Sequence, residues 1–251
     1  MSGKLYAIGT GPGAADLITV RGARVLGQLD VLYAPAGRKG GDSLSLSIVR
    51  EYLGAATRVK SRHFPMNQDA DEKNGVWDAV AQDMAADVEQ GLQVGFITLG
   101  DAMLYSTWVF LLARLRCRIA IDIIPGVTSF ACIAARVQVP LAMESQSLAV
   151  MACTDNDSAL EAALLSHDCI VLMKVYGRFA RIQQLLRRLG LIEYALLMAN
   201  ASLPDEACFL ALDDVAPDQA LPYFSTVVVN KRWRTAADHA VTLVSNQGIN
   251  Q

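Results

Sequence analysis

Two α/β domains, each a sheet covered by helices, are what this sequence predicts. Short apolar runs alternate with amphipathic segments along the whole chain, the rhythm of strand and helical crossover rather than of a sandwich or a bundle. Three of the apolar runs are followed at once by a glycine-bearing loop, where an open parallel sheet places its ligands. A length of 251 residues with 53% apolar side chains supports more than one small core.

Lys4 to Gly9 reads as the first strand and Ala15 to Gln28 as the helix after it. Val31 to Tyr33 is a strand, Leu44 to Tyr52 a helix and Thr57 to Arg62 a third strand. Asn67 to Gly75 (NQDADEKNG) is polar and acidic with no apolar face, which predicts a surface loop. Trp77 to Gln90 sets Trp77, Val80, Met84, Ala85 and Val88 on one face, a helix closed by Gly91. Val94 to Thr98, a helix Tyr105 to Leu115 and a strand Ile119 to Ile123 complete the first domain. The second carries strands Leu148 to Met151, Cys169 to Met173, Ala195 to Met198, Ala207 to Ala211 and Phe224 to Val229, with helices Ala159 to Leu165 and Phe179 to Leu189. Only Asp213 to Pro222 separate its last two strands, so a mixed second sheet is expected. The junction is placed near residues 136–146, giving domains 1–140 and 141–251; the tail after Asn230 has no clear pattern.

Charge and composition exclude several classes of function. With 22 basic against 25 acidic side chains the net charge is −3, which supplies no global field for nucleic acid. No apolar run reaches the roughly 18 residues of a membrane helix, and the first residues are not a secretory signal, so a cytoplasmic protein is expected. The five cysteines are odd in number, widely spaced and without C-x-x-C, and read as reduced core thiols. The three histidines form no ligand-spaced cluster, so no metal is expected.

Chemistry concentrates in the loops after strands. Gly9-Thr10-Gly11-Pro12-Gly13 permits a tight turn and close approach to bare backbone, or is a plain Gly-Pro turn. It is not the G-x-G-x-x-G of a dinucleotide site, and Pro12 lacks an N–H that would cradle a pyrophosphate, which disfavours a nicotinamide enzyme. Thr98 to Thr107 (TLGDAMLYST) puts Gly100 and Asp101 at a strand end, where Asp101 either meets an ammonium or ribose hydroxyl or caps a helix. Ile124-Pro125-Gly126-Val127-Thr128-Ser129-Phe130 is a helix start whose Thr128 and Ser129 can turn hydroxyls and N–H groups to the same place. One shared ligand explains three such loops better than three separate accidents.

Together with Val171 to Val175, Asn200 to Glu206 and Tyr223 to Val229, in the same order, these stretches resemble the tetrapyrrole methylases, class III methyltransferases that use S-adenosyl-L-methionine. The resemblance covers nearly the whole chain. His63-Phe64-Pro65-Met66, Leu104 to Thr107 and Tyr223 to Ser225 are most similar to the branch that methylates C20 of precorrin-2 or cobalt-factor II. The chain departs from the family at Ala102, where Pro usually follows Gly-Asp, and at Ala14-Ala15, where Asp-Pro is usual.

The resemblance implies two α/β domains with a cofactor cleft between them. It implies S-adenosyl-L-methionine, released as S-adenosyl-L-homocysteine, touched by Pro12, Gly100, Asp101, Leu104, Thr128 and Ser129 from the first domain. Met173, Val175, Ala201 and Ser225 are the implied contacts from the second. A small-molecule tetrapyrrole with eight carboxylates needs cations, for which Arg38, Lys39 and Arg62 stand at strand ends, unless those are solvated loop residues. Tyr105 is the candidate proton relay or pocket wall, and His63 could accept a proton near neutral pH. Trp108, Leu111 and Leu112 suggest a homodimer face of the kind the family commonly has; nucleic acid and membrane are not expected partners. The competing readings are methylation at another ring position and a non-catalytic cofactor-binding module.

Overall fold

Five parallel strands form the first sheet, and their order places every ligand-loop candidate of the first half along one edge. The protein is described here from a computed structural model covering residues 2–36, 43–64, 70–153 and 156–233. It divides into two compact units, Met1–Cys132 and Ile133–Gln251. In the first unit the elements run β1 (Lys4–Gly9), α1 (Val20–Leu26), β2 (Val31–Ala36), α2 (Leu44–Val49), β3 (Arg58–His63), α3 (Ala70–Glu89), β4 (Gln93–Thr98), α4 (Trp108–Leu115) and β5 (Ile121–Ile124). α5 (Ser129–Val137) follows and contains the division between the units. The strand order is β3-β2-β4-β1-β5.

Side chains alternate across this sheet as the pleat requires. Leu5, Ala7, Val31, Tyr33, Val94 and Phe96 face α3 and α4, where Val80, Met84, Ala85, Val88, Trp108, Leu111 and Leu115 close one core. Ile8, Leu32, Ala34 and Ile97 face the other way, onto Leu26, Ile48 and Val49 of α1 and α2. One polar group is built into the first of these cores. The Tyr33 hydroxyl donates to Asp87 Oδ2 at 2.7 Å, and Lys60 Nζ lies 2.6 Å from the same oxygen. Burial first, then the Asp87 carboxylate, push the Tyr33 phenol above its ordinary range.

β2 pairs with β3 along its whole length but with β4 only from Val31 to Tyr33. Continuing that register would set Pro35 against Thr98, and Pro35 has no N–H to give. The sheet therefore forks at this edge. The strand read as Val31 to Tyr33 is longer than expected because β3 alone carries its end.

Several expectations are corrected here. The helix expected from Ala15 to Gln28 is a single 3-10 turn, Ala15–Leu17, and then α1, which starts where the Thr19 hydroxyl accepts the Gly22 N–H. The loop expected over Asn67 to Gly75 is helical from Ala70, with Asp71 and Glu72 in a first turn that favours negative charge; residues 67–69 lie outside the described residues. The helix expected from Tyr105 begins at Trp108, because Tyr105 has φ 49°, outside the helical region. Trp108 and Leu111, suggested as a homodimer face, are fully buried in the unit's own core, and Leu112 packs against that core. Of the cysteines, Cys117 is exposed rather than a core thiol. The tail beyond residue 233 lies outside the described residues.

The second unit runs β6 (Leu148–Ala152), α6 (Asp157–Ser166), β7 (Cys169–Met173), α7 (Phe179–Arg188), β8 (Ala195–Ala199), β9 (Ala207–Phe209) and β10 (Ser225–Asn230). Its order is β6-β7-β10-β8-β9, with β6 and β7 parallel and β10 antiparallel to both β7 and β8. The expected mixed sheet is present. α6 and α7 cover one face through Leu160, Leu164, Phe179, Ile182 and Leu186.

Candidate functional site

Because all strands of the first sheet are parallel, the loops after β1, β4 and β5 leave the same edge, and β1 lies between the other two. They are joined backbone to backbone. Thr10 N–H donates to the Thr98 carbonyl at 2.9 Å, and Gly11 and Gly100 exchange both hydrogen bonds, at 3.3 and 2.7 Å. A Cβ at Gly9 would lie 2.6 Å from the Gly100 carbonyl oxygen, and one at Gly126 only 2.1 Å from the same atom. Three peptide planes thus occupy space that side chains would fill, which explains glycine at 9 and 126. Gly100 is a different case: its φ is +69°, and the position its Cβ would take is open.

Asp101 completes the junction. Its Oδ1 accepts the Met103 N–H at 2.8 Å and its Oδ2 accepts the Gly126 N–H at 2.9 Å, so one carboxylate holds its own turn and ties the β4 loop to the β5 loop. It does not cap α4. That helix starts beside Ser106, whose hydroxyl accepts the Trp108 N–H at 3.1 Å and pairs with Thr98 Oγ1 at 3.0 Å. Pro12 is buried next to the Gly11–Gly100 bridge, and Leu104 is half-buried. Ser129 opens α5, and Thr128 stands just ahead of it; the Thr128 carbonyl accepts the Cys132 N–H at 3.2 Å. Ala102, where the family usually has Pro, is fully buried in the core beneath α4, a place for a small side chain.

Tyr105 stands half exposed with its backbone in the left-handed region, a conformation non-glycine residues hold mainly when their surroundings impose it. His63 ends β3, with Nδ1 3.4 Å from the Ala36 carbonyl. β3 and β4 are separated by β2, so His63 lies roughly 10 Å across the sheet from the loop that carries Tyr105. These two candidates are not brought together as one acid–base pair. Arg62 sits on the α3 face, 2.8 Å from Asp83 and with its guanidinium 5.6 Å from the Tyr33 ring centre. Arg38 and Lys39 lie outside the described residues.

In the second unit the C-terminal ends of β7 and β8 and the start of β10 share an edge. Met173 is registered with Thr226, next to Ser225, and the Asn200 N–H donates to the Phe224 carbonyl at 2.9 Å, which brings Ala201 alongside. The Ser225 hydroxyl donates to the Pro222 carbonyl at 2.7 Å. Met173, Ala201 and Ser225 therefore form one group; Val175 instead sends its side chain into the core of the unit.

Sequence reasoning missed what shapes this edge. Lys174, Asn200 and Ser202 all have positive φ, 60°, 52° and 61°. Asn tolerates that conformation and could have been flagged after a strand; Lys and Ser carry no such signature. The turn is braced by Asn200 Nδ2 to Asp205 at 2.6 Å and by Ser202 N–H to Glu206 at 2.5 Å. Cys153, just after β6, is buried, which pushes its thiol up to about 11 and leaves it protonated near neutral pH.

Both edges offer backbone groups, hydroxyls and apolar side chains, with few ionisable ones. Such a surface positions a ligand that brings its own reactivity; it does not supply acid–base power. The open space beside left-handed Gly100, the half-buried carboxylate of Asp101 and the N–H groups at the start of α5 suit a small polar cofactor. Among the described residues no group of three His, Cys, Asp or Glu could hold a metal ion, and no helix is long and apolar enough to cross a membrane.

Comparison with known proteins agrees with this picture. The family profile described as Tetrapyrrole (Corrin/Porphyrin) Methylases matches residues 4–215. A cobalt-precorrin-2 C(20)-methyltransferase of Salmonella typhimurium is 62% identical over 94% of this chain and 100% of its own length. A precorrin-2 C(20)-methyltransferase of a Sinorhizobium species is 30% identical over 90% of this chain and 95% of its own. The solved structure of a uroporphyrin-III C-methyltransferase from Thermus thermophilus, complexed with S-adenosyl homocysteine, superimposes with TM-score 0.65 at 18% identity, covering 94% of this chain and 95% of that one.

Proposed function

Because the chain belongs to the tetrapyrrole (corrin/porphyrin) methylase family, we propose that it transfers a methyl group from S-adenosyl-L-methionine to C20 of a precorrin-2-type tetrapyrrole in cobalamin biosynthesis. The observation that carries this is the 62% identity to the cobalt-precorrin-2 C(20)-methyltransferase along that enzyme's full length. Identity to the precorrin-2 enzyme is about half as great, which favours the cobalt-bearing ring as substrate over the metal-free one. The cobalt belongs to the substrate.

S-adenosyl-L-methionine supplies the electrophilic methyl group, so the protein's task is to bind, orient and exclude water. On this reading Pro12, Gly100, Asp101, Leu104, Thr128 and Ser129 hold the cofactor from the first unit, and Met173, Ala201 and Ser225 from the second. Val175 contributes through its backbone, since its side chain is in the core. Tyr105, half exposed beside the Gly100–Asp101 turn, is the proposed proton relay or pocket wall, and His63, at the β3 margin of the sheet, is the second candidate for handling the proton. Arg38 and Lys39 remain the proposed partners of substrate carboxylates; Arg62, paired with Asp83, would have to exchange that partner for a substrate carboxylate. A homodimer acting in the cytoplasm completes the proposal on family resemblance alone.

The test is a turnover assay with methyl-labelled S-adenosyl-L-methionine and separate pools of precorrin-2 and its cobalt complex, followed by carbon-resolved NMR. Label at C20 from the cobalt pool is the expected result. Label at another carbon, or cofactor binding with no transfer to either pool, would overturn the assignment.

A further inference from the structure

The second unit carries an aromatic cluster that the cofactor positions do not use. Tyr176, Tyr223 and Phe224 are 53%, 46% and 41% exposed, yet their rings are in contact. The Tyr176 and Tyr223 centroids are 6.2 Å apart at 55°, and those of Tyr223 and Phe224 are 5.1 Å apart at 85°. They come from two distant segments: the turn between β7 and α7, and the residues leading into β10. Both segments open on the edge that holds Met173 and Ser225.

The backbone beneath these rings is fixed. The Phe224 carbonyl takes the Asn200 N–H, and the Ser225 hydroxyl closes the 222–225 turn onto Pro222. Tyr176 is flanked by left-handed residues, Lys174 with φ 60° and Gly177 with φ 72°. Partial burial also raises the Tyr223 phenol above its ordinary range, so it stays neutral throughout physiological pH. Three apolar rings held half in water by braced turns form a patch of the kind that marks a recognition surface.

We propose that Tyr176, Tyr223 and Phe224 form a stacking shelf for the flat conjugated face of the tetrapyrrole, and so set which ring edge is presented to the cofactor. The proposal rests on the function given above, and it adds specificity residues to it. A conjugated macrocycle suits the site because aromatic rings gain from its π-face, whereas its carboxylates need not be desolvated against apolar groups.

The experiment compares wild type with Tyr176→Leu, Tyr223→Leu and Tyr223→Phe. Leucine keeps apolar bulk and removes the ring; phenylalanine keeps the ring and removes the hydroxyl. Circular dichroism checks the fold, calorimetry gives the Kd for S-adenosyl-L-methionine, and absorbance titration and initial rates give Kd and KM for cobalt-precorrin-2. The shelf predicts that each leucine variant raises the tetrapyrrole Kd and KM about 3- to 10-fold, leaves the cofactor Kd unchanged, and that Tyr223→Phe behaves as wild type. Wild type that labels C20, alongside leucine variants with unaltered tetrapyrrole affinity, overturns the shelf while the function stands. Loss of cofactor affinity alone overturns it too, assigning the rings to the adenine. Wild type that neither binds nor methylates the tetrapyrrole overturns the functional reading, and the shelf with it.

Discussion

The two sheet edges solve one problem, a tight turn after a strand beside a bound molecule, in opposite ways. The first unit uses absence: Gly9 and Gly126 let peptide planes meet where a side chain would collide with the Gly100 carbonyl, Gly100 itself takes the left-handed turn at no cost, and Asp101 ties the result together. The second uses imposition, forcing Lys174, Asn200 and Ser202 into the left-handed region and bracing two of them with Asp205 and Glu206. A glycine junction is strict about substitution but carries little strain. A forced turn tolerates other residues and stores strain that its neighbours must offset.

The hardest test of that contrast is Gly126→Ala. With its Cβ 2.1 Å from the Gly100 carbonyl oxygen, the methyl cannot be placed without parting two loops. A loss of more than about 3 kcal/mol in urea unfolding is expected; a variant of wild-type stability would break the comparison at its base. Asp101→Ala should cost about 1–3 kcal/mol, since two N–H groups lose a charged acceptor. If instead cofactor affinity falls while unfolding is unchanged, the carboxylate's main partner is the ligand and not the loops.

The second edge should respond with the opposite sign. Lys174→Gly relieves the φ of 60° and is expected to stabilise the protein by about 0.5–1 kcal/mol, read as a higher urea midpoint. Destabilisation would mean that Lys174 contributes more through its contacts than its backbone costs. The smallest effect concerns reactivity and leaves stability untouched. Burial holds the Cys153, Cys169 and Cys208 thiols at about 11, 12 and 11, whereas Cys117 is exposed. Native protein at pH 8 should therefore release one equivalent of thionitrobenzoate quickly and all five only in denaturant. Rapid reaction of a second thiol would show that one of the cores opens more readily than its packing implies.

This contrast also decides what could be read from the residues alone. The glycine loops were legible because glycine is itself the sign of close backbone approach, and βαβ alternation put all three loops on one edge. The strands of the second unit and its mixed pairing were legible from apolar runs and a short connection. Its left-handed turns were not, because Lys174 and Ser202 adopt that conformation through tertiary bracing and not through intrinsic preference. For the same reason Tyr105 was read as the start of a helix that begins at Trp108. The acidic stretch after Asn67 misled in the other direction: composition suggested a loop, while the helix dipole welcomes Asp71 and Glu72 in a first turn. Trp108 and Leu111 illustrate a further limit, since an apolar helical face looks the same whether a second subunit or α3 covers it.

Pro35 works as the stop on a zip. Hydrogen bonding between β2 and β4 closes from the bottom of the sheet as far as Tyr33 and ends there, while β2 and β3 continue together to Ala36. Beyond Tyr33 the margin carrying β2, β3 and His63 is thus unpaired from β4, while each of these strands keeps its other partner. A residue with an N–H at position 35 could let the teeth engage further and draw that margin against Thr98. The ladder between β2 and β4 ends two residues short of the position where the backbone has no proton to donate.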